Sequence, residues 1–177
     1  MAGDQVGRGE TARPEQRPVM KVSARTATPD DLAILTTLYG PARDEQTALR
    51  DAWPIADGLA EPVADSFAAI LKDPGSLLAV GLIDDVVFGF IWVKIEDLLP
   101  QAGGERIGVI RLVYVTDEAR TVAVGEAMLD LALTWLRAAG IRRFDAIVSP
   151  GHRLAKNFFE SAGFKARRIT MYRHDDD

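Results

Sequence analysis

Apolar residues along this chain change their spacing several times, and the changes divide it into elements. "KVSARTA" (21–27) alternates apolar and polar positions and predicts a strand. Thr28 then stands where a cap would open a helix over "PDDLAILTTLYG" (29–40), with Pro29 at its first position and acids in its first turn. Residues 41–72 predict a loop and one or two helices broken at Pro54 and Pro62. "SLLAVGLI" (76–83) and "VVFGFIWVKI" (86–95) flank Asp84-Asp85 as a hairpin pair, and "RIGVIRLVYV" (106–115) is a third consecutive strand beyond the loop "EDLLPQAGGE". From Val124 the period lengthens. Val124, Met128, Leu131, Trp135 and Ala138 fall on one helical stripe that closes at Gly140. "RRFDAIVS" (142–149) reads as a strand, "HRLAKNFFESAG" (152–163) as a helix ending at Gly163, and "FKARRITMYRH" (164–174) as a final strand. The order is βα(α)βββαβαβ: a hairpin-rich first half passes into a crossover half. That predicts an α/β protein with a mixed central sheet and helices packed on it.

Both ends fall outside this pattern. Gly, Pro, Gln and alternating charges fill the first 19 residues, which have almost nothing to bury and read as a disordered tail, 1–20. Met20 is a candidate native start, the domain is expected over 21–174, and 175–177 form an acidic tail.

Composition narrows the function. The net charge of −5 argues against nucleic acid or an anionic membrane as partner and suits a cationic small molecule or peptide. There is no Cys, hence no thiolate nucleophile, disulfide framework or Cys-based metal site, and no metal is expected. No transmembrane run or signal-peptide pattern is evident, which makes the cytoplasm the expected compartment, for a monomer or homodimer.

The segment "TDEARTVAVGEAML" (116–129) breaks helix habits, because Gly125 stands where a helix should already be winding. Glycine costs roughly 1 kcal/mol there against alanine. The segment joins a strand to a helix N-terminus, where amide donors lack intrahelical partners and the dipole favours an anion. Ala123 and Gly125 keep side chains out of the way, and Arg120 adds a positive charge at the mouth. A phosphate site fits this arrangement; so does a small-residue turn packed beneath a helix. A Walker loop and a Rossmann fingerprint are both absent.

"HRLAKNFFESAGF" (152–164) resembles the Asn-x-x-Ala-x-x-x-Tyr-Glu-x-x-Gly-Phe pattern of the GNAT N-acetyltransferase superfamily, with Ala155, Glu160, Gly163 and Phe164 in register. Arg120-x-x-Ala123-x-Gly125 is similar to that family's pyrophosphate motif, Arg/Gln-x-x-Gly-x-Gly/Ala, with Ala replacing the first Gly. The resemblance spans nearly the whole domain. It implies acetyl-CoA, or another short acyl-CoA, as co-substrate. Its pantetheine arm would pair with the main chain of Val113 and Val115. Its pyrophosphate would lie on the amides of Thr121, Val122, Ala123, Val124 and Gly125, with Arg120, and Asn157 of the last helix would belong to the same cofactor set. The Val113 amide is the implied oxyanion donor.

The catalytic positions depart from the family. Phe159 stands where the family has its proton-donating Tyr, and His152 replaces its Asn. An imidazole there could donate to the leaving thiolate, though a His at a helix start also reads as a surface or capping residue. The fourth strand lacks the family's Glu and carries Arg111 instead, expected to be paired across the sheet or exposed. Glu96 is the candidate base, with Asp97 beside it; Asp57, Glu61 and Asp65 form a second acidic group. Neither His174 nor Ser149 supports a hydrolase. The expected function is acyl transfer from acetyl-CoA to a primary amine of a small molecule or peptide by direct attack. The alternative is a non-catalytic CoA-binding module that has lost the Tyr.

Overall fold

The computed structural model describes residues 20–173 and Asp175. The expectations for residues 1–19, for His174 and for most of the acidic end lie outside the described residues.

Five strands form one sheet in chain order: β1 (Val22–Thr26), β2 (Ser76–Ile83), β3 (Val86–Asp97), β4 (Arg106–Val115) and β5 (Phe144–Ala146). The first four are antiparallel and β5 runs parallel to β4, so the sheet is mixed. Alternate residues of β2 enter opposite clusters, Leu77 and Ala79 on one face and Leu78, Val80 and Leu82 on the other. Both faces are covered, which explains why β2 reads as an unbroken apolar run. Helix α4 (Val124–Ala138) packs on the first face through Met128, Leu129, Ala132 and Leu136, beside Phe159 of α5 (Arg153–Ser161). Helices α1 (Leu32–Leu49), α2 (Trp53–Ala56) and α3 (Val63–Lys72) cover the second, where Leu35, Tyr39 and Phe67 meet Phe90.

Two glycines allow α4 its close approach. A Cβ on Gly81 would stand 2.5 Å from Val124, and one on Gly108 would stand 2.5 Å from Leu136, separations that real atoms do not adopt.

The Asp84-Asp85 turn forms as expected. Both residues adopt left-handed conformations, φ 47° and 67°, which suit a two-residue hairpin. At the first helix, the Thr28 side chain does not cap. The Asp31 carboxylate instead accepts from the Thr28 amide at 2.8 Å, while Arg25 donates to it at 2.7 and 2.8 Å.

Three expectations about elements change. Helix α1 continues through Gly40 and Pro41 to Leu49, because its apolar stripe (Leu35, Leu38, Tyr39, Ala42) remains buried past the proline. Proline and glycine favour stopping there, but tertiary packing outweighs them. Pro54 opens α2 instead of breaking a helix, and Pro62 stands just before α3. Residues 164–173 form no strand. An ion pair from Arg167 reaches Asp145 of β5, but β5 has only three residues to pair with, and Ile169 and Met171 are 80% and 88% exposed.

Candidate active site

The site begins with a fault in β4. Trp92 faces Leu112 and Val93 faces Ile110, so Arg111 is an extra residue on β4, a β-bulge. Before the bulge, the even positions of β4 point at β5: the Gly108 amide donates to Arg143, and the Ile110 carbonyl accepts from Ile147. After it the parity reverses, because the Thr116 amide donates back to Phe88 of β3. Main-chain groups of Val113 and Val115 therefore face away from β3. Pairing of β4 with β5 stops at Ile110, and the strands diverge beyond it. Val113 and Val115 thus present backbone groups to an open gap, on the strand edge that a further chain could join.

A cleft occupies that gap. Leu112, Val113 and Tyr114 line it from β4, Ile147, Val148 and Ser149 from the end of β5, and His152 and Ala155 from α5. Ala42, Glu45 and Gln46 of α1 and Trp53 of α2 close its other side. The extension of α1 past Pro41 is what delivers Glu45 and Gln46 here. Gln46 is tied across the cleft to Ser149, whose hydroxyl lies 2.6 Å from the Gln46 Oε1.

After β4 a short helical turn leads to Ala123, at φ 65°, and then to α4. This left-handed residue stands where the family motif has its first Gly, which explains the motif's preference. The first helical hydrogen bond runs from the Ala127 amide to the Ala123 carbonyl, and no side chain caps α4. The amides of Val124, Gly125 and Glu126 are thus left without intrahelical acceptors. Thr121 and Ala123 are exposed, Val122 is half-buried, and the Val124 side chain is fully buried, so Val124 offers only its backbone. Gly125 has a structural reason as well, since a Cβ there would stand 3.2 Å from the Phe158 ring.

The remaining predicted residues are placed as follows. Arg120 turns inward: its Nε donates to the Val115 carbonyl at 2.9 Å, and its other nitrogens reach Glu45 at 2.7 Å and Asp117 at 3.0 Å. His152 caps α5, its Nδ1 accepting from the Ala155 amide at 3.2 Å. In the neutral ring the proton then sits on Nε2, which lies 3.5 Å from Glu45 Oε1. Glu96 is paired with Arg111, which donates through Nε at 2.8 Å, and Arg111 itself lines the cleft. Phe159 is buried between Phe158 and Phe164, with ring centroids 5.0 and 5.3 Å away, and Asn157 is exposed on the outer side of α5. Glu61 pairs with Arg43 at 3.7 Å, and neither it, Asp57 nor Asp65 lines the cleft.

Sequence reading missed Glu45, Gln46 and Tyr114. Burial pushes the Tyr114 phenol above its usual range, against the pull of Arg120, whose guanidinium lies 5.8 Å from the ring centre. It therefore keeps its proton at neutral pH. Tyr114 sat inside a strand read only for its backbone, and Glu45 lay beyond the assumed end of α1.

A diverging β4–β5 pair, a bulge that turns main-chain groups into the gap, and an uncapped helix at its end make an α/β protein with an open strand edge beside a helix N-terminus. Residues 42–164 match the model of the acetyltransferase (GNAT) family, and the chain belongs to that family. The family uses acetyl-CoA and acetylates amine acceptors.

Solved structures share the fold. A transcriptional regulator from Bacillus halodurans is similar at TM-score 0.71 and 22% identity, covering 87% of this chain and 99% of its own. An aminoglycoside 6'-N-acetyltransferase from Acinetobacter baumannii superimposes at 0.69 with 9% identity, over 88% and 99% of the two chains. An aminoglycoside N-acetyltransferase in complex with CoA gives 0.66 at 17%, over 93% and 99%. No curated protein matches the chain. Among the described residues, no helix is long and apolar enough to cross a membrane.

Proposed function

We propose that this protein transfers an acetyl group from acetyl-CoA to a primary amine of a small molecule or peptide, with the acyl donor in the β4–β5 gap. The single observation that carries this reading is the outward-facing main chain of Val113 and Val115 beside the uncapped start of α4. Val113 and Val115 would take the pantetheine arm as an added strand. The amides of Thr121, Ala123, Val124 and Gly125 would receive the pyrophosphate, that of Val122 would add to them on leaving the Ala119 carbonyl 3.4 Å away, and Arg120 would join them once released from its present partners. Asn157, on the exposed side of α5, would reach only the outer part of the cofactor.

Acetyl-CoA supplies an activated acyl carbon and a thiol leaving group. This chain's residues supply geometry. The Val113 amide is the donor for the acyl oxygen, fixed in direction by the bulge and therefore needing no reorganisation. His152 offers Nε2–H to the departing sulfur; its Nδ1 lone pair is already engaged by Ala155, so the ring acts as a hydrogen-bond donor. The acceptor amine approaches from the α1 side, where it must be neutral to attack. Glu96 could take the proton only if its pair with Arg111 opened. Catalysis then rests mainly on positioning and the oxyanion amide.

The second reading, a CoA-binding module without transfer, draws on one observation: Phe159 is a buried ring with no proton to give. An amine panel assayed with acetyl-CoA for thiol release separates the two. Thiol release with any amine supports the transferase. A protein that binds CoA yet is inert with every amine contradicts it.

A further inference from the structure

A charged cluster reaches the cleft through Glu45 and His152, which line it. Arg120 lies between two carboxylates, Glu45 at 2.7 Å and Asp117 at 3.0 Å, while Glu45 also faces His152 at 3.5 Å. Asp117 is 86% exposed on its side chain, against 29% for Glu45 and 26% for Arg120, so the Glu45 pair is the less screened of the two. The position of Arg120 matters because its Nε covers the carbonyl of Val115, one of the two residues that face the gap. Its charge is matched by its neighbours, which leaves little to attract a phosphate. The same guanidinium thus blocks part of the strand edge and is withheld from the anion site.

We propose that Glu45 is a positioning residue that competes with CoA for Arg120: it holds the guanidinium across Val115, and CoA binding requires Arg120 to pass from Glu45 to the phosphates. The inference rests on the gap being the CoA site. Arg120 leaves a carboxylate for a phosphate, the Val115 carbonyl becomes free for the pantetheine arm, and Glu45 keeps its place 3.5 Å from His152. Glu45 thereby links the phosphate end of the cleft to the acyl end, and the link costs affinity for CoA.

Calorimetric titration with CoA of wild type, Glu45→Gln, Arg120→Gln and the double variant tests this. Glu45→Gln binds CoA about two- to fivefold tighter, the range expected for losing a partly exposed ion pair. Arg120→Gln binds more weakly, and adding Glu45→Gln to it brings no further tightening. Unchanged or weaker binding by Glu45→Gln overturns the inference. So does tightening that persists without Arg120, which would reflect simple repulsion between Glu45 and the phosphates. If the variants fail to fold, the wild-type Arg120 Nε–H resonance serves: it shifts as its bond to Val115 breaks on CoA addition, and an unmoved resonance at saturation overturns the idea. Wild type that does not bind CoA overturns both this inference and the reading of the gap. Wild type that binds CoA, with Glu45→Gln unchanged, overturns only the role of Glu45.

Discussion

The Phe158 ring lies 3.2 Å from where a Cβ on Gly125 would stand. Any side chain at position 125 therefore requires the ring to give by a few tenths of an ångström, whether or not an anion is bound. Gly125→Val should cost about 1–3 kcal/mol of stability in the ligand-free protein, the usual penalty for overpacking. Chemical denaturation without CoA measures this. Wild-type stability in that variant would mean Phe158 yields freely and the glycine is kept for the ligand alone.

Ala123 holds φ 65°, a region that costs an L-residue roughly 1–2 kcal/mol. Glycine relieves that strain but has more freedom to lose on folding, worth about 0.4–1 kcal/mol. Ala123→Gly should stabilise the protein by about 0.5–1 kcal/mol in the same assay. A loss of stability would contradict the left-handed turn.

The two nitrogens of His152 have separate neighbours, the Ala155 amide at Nδ1 and Glu45 at Nε2. His152→Ala removes the cap on Ala155 and the Nε2 donor together. It should cost about 1 kcal/mol of stability and lower kcat about 10- to 100-fold. His152→Asn, which restores the family's residue, should recover the stability because its side chain can still cap. Full turnover in His152→Ala, on an acceptor that wild type uses, would reduce the ring to a helix cap.

Asp31 is buried, and the Arg25 guanidinium holds its carboxyl below the ordinary value of 3.8, helped by the Thr28 amide. A lowered folded-state pKa stabilises the protein above the unfolded value and loses that contribution as pH falls through the folded one. Asp31→Asn should therefore be less stable than wild type at pH 7 by about 1.5–3 kcal/mol, the worth of hydrogen bonds to a charged group. The difference should shrink below about pH 3.8. Denaturation curves across pH 2–7 check it, and a gap that stays constant into acid would show that ionisation of Asp31 contributes nothing.

Much of the fold was legible because it depends on spacing. The alternation of β1, the apolar runs of β2 to β4, the Asp84-Asp85 turn and the α4 stripe each follow from local pattern. The irregular turn before α4 was legible through Arg120, Ala123 and Gly125, whose residue types stand out in a helix start. What failed depends on tertiary contact. The pattern Gly40-Pro41 argues for a helix end, yet burial of Tyr39 and Ala42 carries α1 onward and brings Glu45 to Arg120 and His152. The bulge at Arg111 leaves no local mark, and the direction of the Arg120 guanidinium depends on a partner 75 positions away. The last segment has strand-like composition but only three residues of β5 beside it, too short an edge to pair on.

Amide hydrogen exchange, followed by NMR with and without saturating acetyl-CoA, tests the central claim most directly. The Val113 and Val115 amides face the gap, and those of Val124 and Gly125 have no intrahelical acceptor. Acetyl-CoA should slow exchange at all four, and most at Val113 if it holds the acyl oxygen. Saturable binding that leaves these four rates unchanged and protects another surface would contradict the assignment of the β4–β5 gap as the acyl-donor site.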